Sequence, residues 1–413
     1  MYTLKSVRGT HDLLFDEAIR HRLIEEISSN IVKLYGFSEI ITPIFEFTDI
    51  FSRNLGETTD VVSKEMYTFI DRSGKSLTLR PEGTTSVVRA FISGKLFQNL
   101  PLKLFYRGPM FRYERPQKGR LRQFHQFGIE LLGVESPQAD IEVITLAVHI
   151  IEALGLKNNV HLELNSLGDK TSRIAYRDVF VDYITKHKNK LSKYSLNRLD
   201  RNPLRILDSK NDVDKIIIAE APLMINYLND YSRKFFDTVK NGLDTVGIPF
   251  TVNSRLIRGL DYYCHTTFEF ITTALGVQDA VLSGGRYDGL INKMGGPKIS
   301  GIGWAAGIDR LSMLFCSKES TNRPLVIIPM KLNEDAAIKL AKKLRYDGFI
   351  VEMDYSGSMK KSLAVANKIS ARAALLLFEE EWCRQAVIVR DLDTGKQEEI
   401  SVMFLKNYLD KFR

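Results

Sequence analysis

Residues Tyr106 to Gln126 read YRGPMFRYERPQKGRLRQFHQ, two strand-like arms around a turn at Pro116 to Gly119. Arg107, Arg112, Arg115, Lys118, Arg120 and Arg122 crowd around a single acid, Glu114. From charge alone, a solvated basic hairpin that touches nucleic acid is the simpler reading. The alternation of the arm points elsewhere. In a strand, Arg112 and Glu114 share a face, so a guanidinium and a carboxylate stand side by side on a sheet. That pairing suits one nucleotide, with the arginine gripping an α-phosphate and the glutamate accepting the adenine amino group.

Outward from this hairpin, runs of apolar or alternating residues at Ser38 to Ile44, Met66 to Ile70, Ser76 to Leu79, Lys103 to Tyr113, Gln123 to Leu132 and Val160 to Asn165 predict strands of a mostly antiparallel sheet. Helical spacing at Ile19, Leu23, Ile24, Ile27 and Ile31 predicts an opening helix from Phe15 to Leu34. Helices are also expected at Thr84 to Phe97 and Pro137 to Leu154. Lys-, Asn- and Asp-rich helical texture then marks 168–247 as an insertion, with helices at Arg173 to Lys188 and Met224 to Asp244. Strand pattern resumes at Thr251 to Tyr263, Thr267 to Thr272 and Ala280 to Ser283, and a helix is expected from Trp304 to Phe315.

A polar stretch from Cys316 ends at Pro324, which reads as a linker. Beyond it, strands at Leu325 to Pro329, Phe349 to Asp354 and Ala374 to Phe378 alternate with helices at Glu334 to Tyr346 and Lys360 to Ala371. A strand pair around Asp393 to Gly395 and a helix from Val402 to Lys411 complete a small α/β domain. The expected organisation is a core of 1–167 and 248–320, a helical insertion over 168–247, and a C-terminal domain over 324–413.

Three other segments carry chemistry. SGIGWAAGIDR, Ser300 to Arg310, mimics a dinucleotide fingerprint, but MGGPKIS before it is no buried strand, so that reading fails. Its small residues instead allow close approach of a ligand to backbone, with Arg310 over a base or phosphate, or else simply tight packing beneath a surface arginine. RLIRGLDYY, Arg255 to Tyr263, sets Arg258 and Asp261 beside paired tyrosines, and with SGGRYDGL, Ser283 to Leu290, suggests a polar pocket rather than core aromatics alone. LRPEGT, Leu79 to Thr84, puts Glu82 at a strand-to-helix junction, where it either caps the helix or holds an ammonium group. No GxxxxGK[ST] loop occurs, which excludes a P-loop.

The chain of 413 residues is 44% hydrophobic with a net charge of +8, suited to two or three domains and to a polyanionic partner if the charge clusters. Its three cysteines, Cys264, Cys316 and Cys383, form no CxxC pair, so neither a disulfide framework nor a zinc site is expected. A reducing cytoplasm is the expected compartment. No window reaches the roughly 18 apolar residues of a membrane span.

Taken in order, these segments resemble the three signature motifs of class II aminoacyl-tRNA synthetases: the opening helix with the strand ending at Pro43, FRYE at Phe111 to Glu114, and GIGWAAGIDR. RGLDYY and SGGRYDGL resemble the two motifs specific to histidyl-tRNA synthetases. The resemblance covers the whole chain. It implies an α+β catalytic domain with a mostly antiparallel sheet, a helical insertion, a C-terminal α/β anticodon-binding domain, and a homodimer formed through the first motif.

It further implies that the chain activates L-histidine with ATP, through histidyl-adenylate, for transfer to tRNA(His). Arg112 and Arg258 would be catalytic, bridging the α-phosphate and the histidine carboxylate. Glu114, Arg120, Phe124 and Arg310 would bind ATP, with Mg2+ on its outer phosphates and no metal held by the protein alone. Glu82 and Gln126 would take the α-ammonium, with Gly83 and Thr84 in the same corner. Glu130 and Tyr263 would meet the imidazole, and Tyr262 would shape the wall. Two departures, His11 in RGTHDL and Asp309 where glutamate is usual, lie outside that proposed chemistry. The rival is the noncatalytic regulatory subunit of ATP phosphoribosyltransferase, a family that commonly loses these catalytic residues and lacks the C-terminal domain.

Overall fold

The computed structural model describes residues 4–56, 59–209, 211–257, 260–275, 279–316, 323–330, 334–355 and 358–412. The chain divides into two compact units, Met1–Cys316 and Ser317–Arg413.

In the first unit, one sheet runs in the order Ser38–Glu39, Leu102–Phe111, Gln123–Leu132, Gly301–Gly307, Asp279–Arg286, Cys264–Thr272, His161–Ser166, Thr251–Val252. Only the outermost pair at each end is parallel, and every inner pair is antiparallel. The pleat separates the two faces. Phe127, Ile129 and Leu131 on one strand, with Ile302, Trp304 and Ala306 on its neighbour, enter the main core. The helices Asp16–Leu34, Gln138–Ala153, Asp230–Thr245 and Ile308–Leu314 cover that face, and Phe105, Leu162, Leu164, Phe268, Phe270 and Leu282 of the other strands join the same core. Each fully buried aliphatic or aromatic side chain there contributes about 1.5–3 kcal/mol by leaving water. Trp304 also donates its indole N–H to the Val143 carbonyl at 3.0 Å, so its one polar atom is satisfied.

The opposite face carries Phe124, Gln126, Gly128 and Glu130, each two residues from the next. Across the ladder, Gly307, Ala305 and Gly303 face Gln126, Gly128 and Glu130. Small residues there leave room above the sheet.

Four expectations change. The helix expected from Trp304 begins at Ile308, because GIGWAAG is a strand. Its small residues alternate with Ile302, Trp304 and Ala306 at period two, and that period had been masked by the high content of small residues. The strand expected over Thr251 to Tyr263 is confined to Thr251–Val252, and that expected over Ser38 to Ile44 to Ser38–Glu39. Leu102–Phe111 ends before Arg112, so Arg112 and Glu114 do not share a strand face.

Phe45–Phe47, Ser76–Leu79 and Thr68–Ile70 form a second, three-stranded sheet. The helices of the insertion bury Tyr176, Phe180, Ile184, Ile206, Ile217 and Met224 in a small core of their own. Asp169 starts the first of these helices by accepting the Ser172 N–H at 2.8 Å, an ordinary N-cap. The helix Asp230–Thr245 instead sends Phe235, Phe236, Val239 and Leu243 into the main core.

The second unit has one sheet in the order Val351–Met353, Leu325–Pro329, Ala373–Leu377, Ala386–Asp391, Gln397–Ser401, parallel across its first three strands and antiparallel thereafter. Leu325–Pro329 and Ala373–Leu377 are almost wholly buried, as strands covered on both faces must be. Among the described residues, no helix is long and apolar enough to cross a membrane.

Candidate active site

A cavity of about 520 Å³ opens on the small-residue face of the large sheet. Glu82, Thr84, Arg112, Glu114, Arg120, Phe124, Gln126, Tyr262, Tyr263 and Arg310, drawn from four separate stretches of sequence, all line it. Arg258 lies outside the described residues.

One end of the cavity is cationic. Just past its strand, Arg112 is aimed by an Nε hydrogen bond to the Pro81 carbonyl at 2.8 Å, and its guanidinium lies 5.4 Å from the Phe124 ring centre. Glu114 sits between two guanidiniums, with Arg112 Nη1 at 4.0 Å and Arg120 Nη1 at 3.7 Å. The juxtaposition expected from strand alternation is thus made by the loop. Arg310 donates from Nε to the Gly119 carbonyl at 2.9 Å and from Nη1 to the Ala280 carbonyl at 2.6 Å. It therefore ties the turn of the basic loop to the start of the Asp279–Arg286 strand. Gly119 has φ +72, a conformation that favours glycine.

The other end is acidic and sheltered. Glu82 is only 4% exposed and accepts the N–H groups of Thr84 and Thr85 at 3.0 and 2.7 Å, capping the helix Thr84–Ser93. The cap and the ammonium readings are compatible, because a carboxylate offers about four acceptor positions. Gly83 does not itself line the cavity; a Cβ there would lie 2.1 Å from the Tyr106 ring, so the residue is small to let that ring pass. Gln126 Oε1 is buried with no hydrogen-bond partner, an acceptor in want of a donor such as an ammonium.

Glu130 lies beneath the floor, fully buried, and does not appear in the lining. Tyr287 donates its hydroxyl to Oε2, while Oε1 has no well-formed partner. Burial pushes the Glu130 carboxyl up to about 8; the Thr84 and Tyr287 hydroxyls oppose the shift and the charge of Glu82 adds to it. Directly above, a Cβ on Gly303 would stand 2.0 Å from Glu130 Oε2. Tyr262 and Tyr263 pack against each other with ring centres 4.5 Å apart, and Tyr262 meets the edge of Tyr287.

Three polar cavity residues, Tyr287, Glu269 and Ser283, were given no role by the sequence reading. Tyr287 sits within SGGRYDGL but was given no role, although it orders Glu130. Glu269 and Ser283 face each other across neighbouring strands and both line the cavity. The available signal was a lone acid between Phe268 and Phe270 in an otherwise buried strand. Arg286 of the same motif is structural: it is fully buried and paired with the equally buried Asp140.

Asp309 is closer to this chemistry than expected. It lines the cavity and accepts the His125 N–H at 2.6 Å. His21 Nε2 and His125 Nδ1 both lie within 4 Å of its Oδ1, at 3.8 and 3.7 Å. Burial alone would raise the Asp309 carboxyl, but the bonds and charge of His125 hold it below the usual range.

Comparison with known proteins adds the family. A family model described as Histidyl-tRNA synthetase matches residues 9–171 and 217–311, and one described as Anticodon binding domain matches 325–412. The chain is 56% identical over 414 residues to a protein of Rhodospirillum rubrum named Histidine–tRNA ligase, covering 100% of both. It is 50% identical to one of the same name from the Wolbachia of Culex pipiens, covering 97% of this chain and 98% of the relative. The crystal structure of apo histidyl-tRNA synthetase from S. aureus superposes with a TM-score of 0.82 at 35% identity, covering 98% of this chain and 99% of that one.

Proposed function

Because the chain belongs to the histidyl-tRNA synthetase family, we propose that the cavity of its first unit is where histidine, activated by ATP, is attached to tRNA(His). The observation that carries this reading is the polarity of one cavity, cationic at Arg112, Arg120 and Arg310, with the sheltered Glu82 in its wall and the buried Glu130 beneath its floor. Adenylation brings two anions together, the histidine carboxylate and the α-phosphate, so cations must offset their repulsion and align the attack. Arg112 serves the α-phosphate, and Arg258 lies opposite by family resemblance. Phe124 stacks on adenine and Glu114 accepts its amino group, while Arg120 and Arg310 engage the outer phosphates.

A carboxylate oxygen of histidine attacks the α-phosphorus and pyrophosphate leaves, giving histidyl-adenylate. A tRNA hydroxyl then attacks the activated carbonyl and AMP leaves. Glu82 and Gln126 Oε1 hold the α-ammonium, with Thr84 beside them. Tyr263 in the wall and Glu130, whose partnerless Oε1 lies just beneath the floor, would serve the two imidazole nitrogens, so an apolar mimic would leave buried polar groups unpaired and be rejected by roughly 10⁴ or more. The cavity's donor set fits Mg2+, which needs only one or two protein carboxylates beside the phosphates. Glu269, on the cavity wall, would hold it. When bound, the ion neutralises phosphate charge.

The second unit would read the anticodon, given its match over 325–412. A homodimer would cover the apolar residues exposed on and beside the three-stranded sheet, including Ile41, Phe45, Phe47 and Ile70. Free Cys264, Cys316 and Cys383 suit a reducing cytoplasm. The regulatory-subunit reading is the weaker one, since it needs neither the arginines of the cavity nor the second unit.

The test is ATP–pyrophosphate exchange by the full chain with histidine, run in parallel with threonine, proline and glycine. Exchange with histidine alone is the expected result. Exchange with none of the four would overturn the catalytic reading.

A further inference from the structure

We infer that the helical insertion sets the histidine end of the cavity, with Arg205 as the positioning residue. This rests on the reading of Tyr262 and Tyr263 as walls of the histidine pocket. Both tyrosines precede the Cys264–Thr272 strand in a segment without regular structure, so no sheet ladder fixes them. Their rings pack in a core with Phe51, Leu55 and Tyr287, and the insertion adds hydrogen bonds to the segment that carries them.

Arg205 donates from Nε to Asp261 Oδ1 at 3.0 Å, and its Nη2 lies 2.8 Å from the same oxygen. Asn202 donates to Asp261 Oδ2 at 3.1 Å. From the first helix of the insertion, Lys170–Lys186, Arg173 Nη1 donates to the Tyr263 carbonyl at 3.0 Å. The segment next to the tyrosines is thus gripped at its side chain and at its backbone, on both sides of Tyr262. On the far side the fit is close: a Cβ on Gly56 would fall 2.3 Å from Asp261 Oδ2.

The grip is firm at its base. Arg205 is 5% exposed, and its carbonyl accepts a 2.7 Å bond from Arg198 Nη1, so its backbone is fixed in turn. A sheltered, hydrogen-bonded ion pair holds geometry far better than an exposed one. Displacing the insertion therefore moves Asp261, and with it the adjoining tyrosines. Misplacement of a substrate wall by about 1 Å is enough to cost up to two orders of magnitude in use of that substrate.

Among the described residues, Arg112 and Arg310 at the phosphate end are aimed by bonds to Pro81, Gly119 and Ala280, away from Arg205, which gives the inference its signature. In pyrophosphate exchange by the full chain, Arg205→Met should raise the KM for histidine about tenfold while the KM for ATP stays within about twofold. Arg205→Lys, which restores the charge, should recover part of the loss, and Asn202→Ala should shift the histidine KM in the same direction by less. Adding Arg205→Met to Asp261→Asn should do little more than Asp261→Asn alone, because the two changes break one contact. Should Arg205→Met not fold, Arg205→Lys and Asn202→Ala are judged by the same split. An unchanged histidine KM in the folded variants overturns the inference. So does a rise of both KM values together with a fall in Tm, the mark of mere destabilisation. Failure of the functional reading is separate, since it shows in the wild-type chain as absent histidine-dependent exchange.

Discussion

The Tyr287 hydroxyl donates to Glu130 Oε2, and the two side chains, 1% and 0% exposed, come from sequence positions 157 residues apart. This contact fixes a buried acid beneath the floor of the cavity, below Gly303. Burial is what raises its pKa to about 8.

A pH dependence follows. A carboxyl whose pKa rises from 4.5 to about 8 on folding binds its proton more tightly in the folded chain. Its contribution to stability is complete below about pH 4.5 and is lost as pH rises through about 8. Thermal unfolding of wild type and Glu130→Gln, followed from pH 5 to 9, should show the wild type losing stability relative to the variant as pH rises. Parallel curves would contradict the raised pKa.

Gly303→Ala tests the floor. The added Cβ would stand 2.0 Å from Glu130 Oε2 and 2.2 Å from the Ile129 carbonyl, and the carbonyl, being backbone, cannot swing away. The substitution should destabilise the fold by about 1–3 kcal/mol. In whatever remains folded, it should raise the histidine KM more than the ATP KM. Near-normal denaturant midpoint and histidine KM would show that the floor has more slack than its geometry implies.

For the cationic end, Arg258→Ala should slow adenylation by about 10²- to 10³-fold, the usual loss when a preorganised transition-state donor is removed. Arg112→Ala should behave similarly. Single-turnover formation of adenylate measures both, and wild-type rates would remove the assigned roles.

Arg286→Met should be a stability variant. It strands Asp140, fully buried, without the guanidinium that pairs with it, and breaking one partner of such a pair costs about 3–5 kcal/mol. Urea unfolding would read the loss. A midpoint shift of less than 1 kcal/mol equivalent would mean that water or a neighbour replaces the pair.

The residues of the cavity were legible where chemistry is written in short motifs. FRYE, RGLDYY and LRPEGT contributed Arg112, Glu114, Tyr262, Tyr263 and Glu82 to one site, with Arg310 from GIGWAAGIDR. Elements with a dominant period were also legible: Ser76–Leu79, Gln123–Leu132 and Leu325–Pro329 fall at the expected residues. GIGWAAG was misread because glycine and alanine carry little hydrophobic contrast, and a strand floored with small residues resembles the approach to a helix.

Sequence alone determined the family, the mostly antiparallel sheet, and most of the charged side chains that line one cavity. It did so because those depend on local pattern and on side-chain chemistry. Only the tertiary structure decided that Tyr287 orders Glu130, that Arg286 is a buried strut, and that Arg205 of the insertion holds Asp261. Such pairs join segments 56 to 157 residues apart, and no local period encodes which distant side chain will share a buried space.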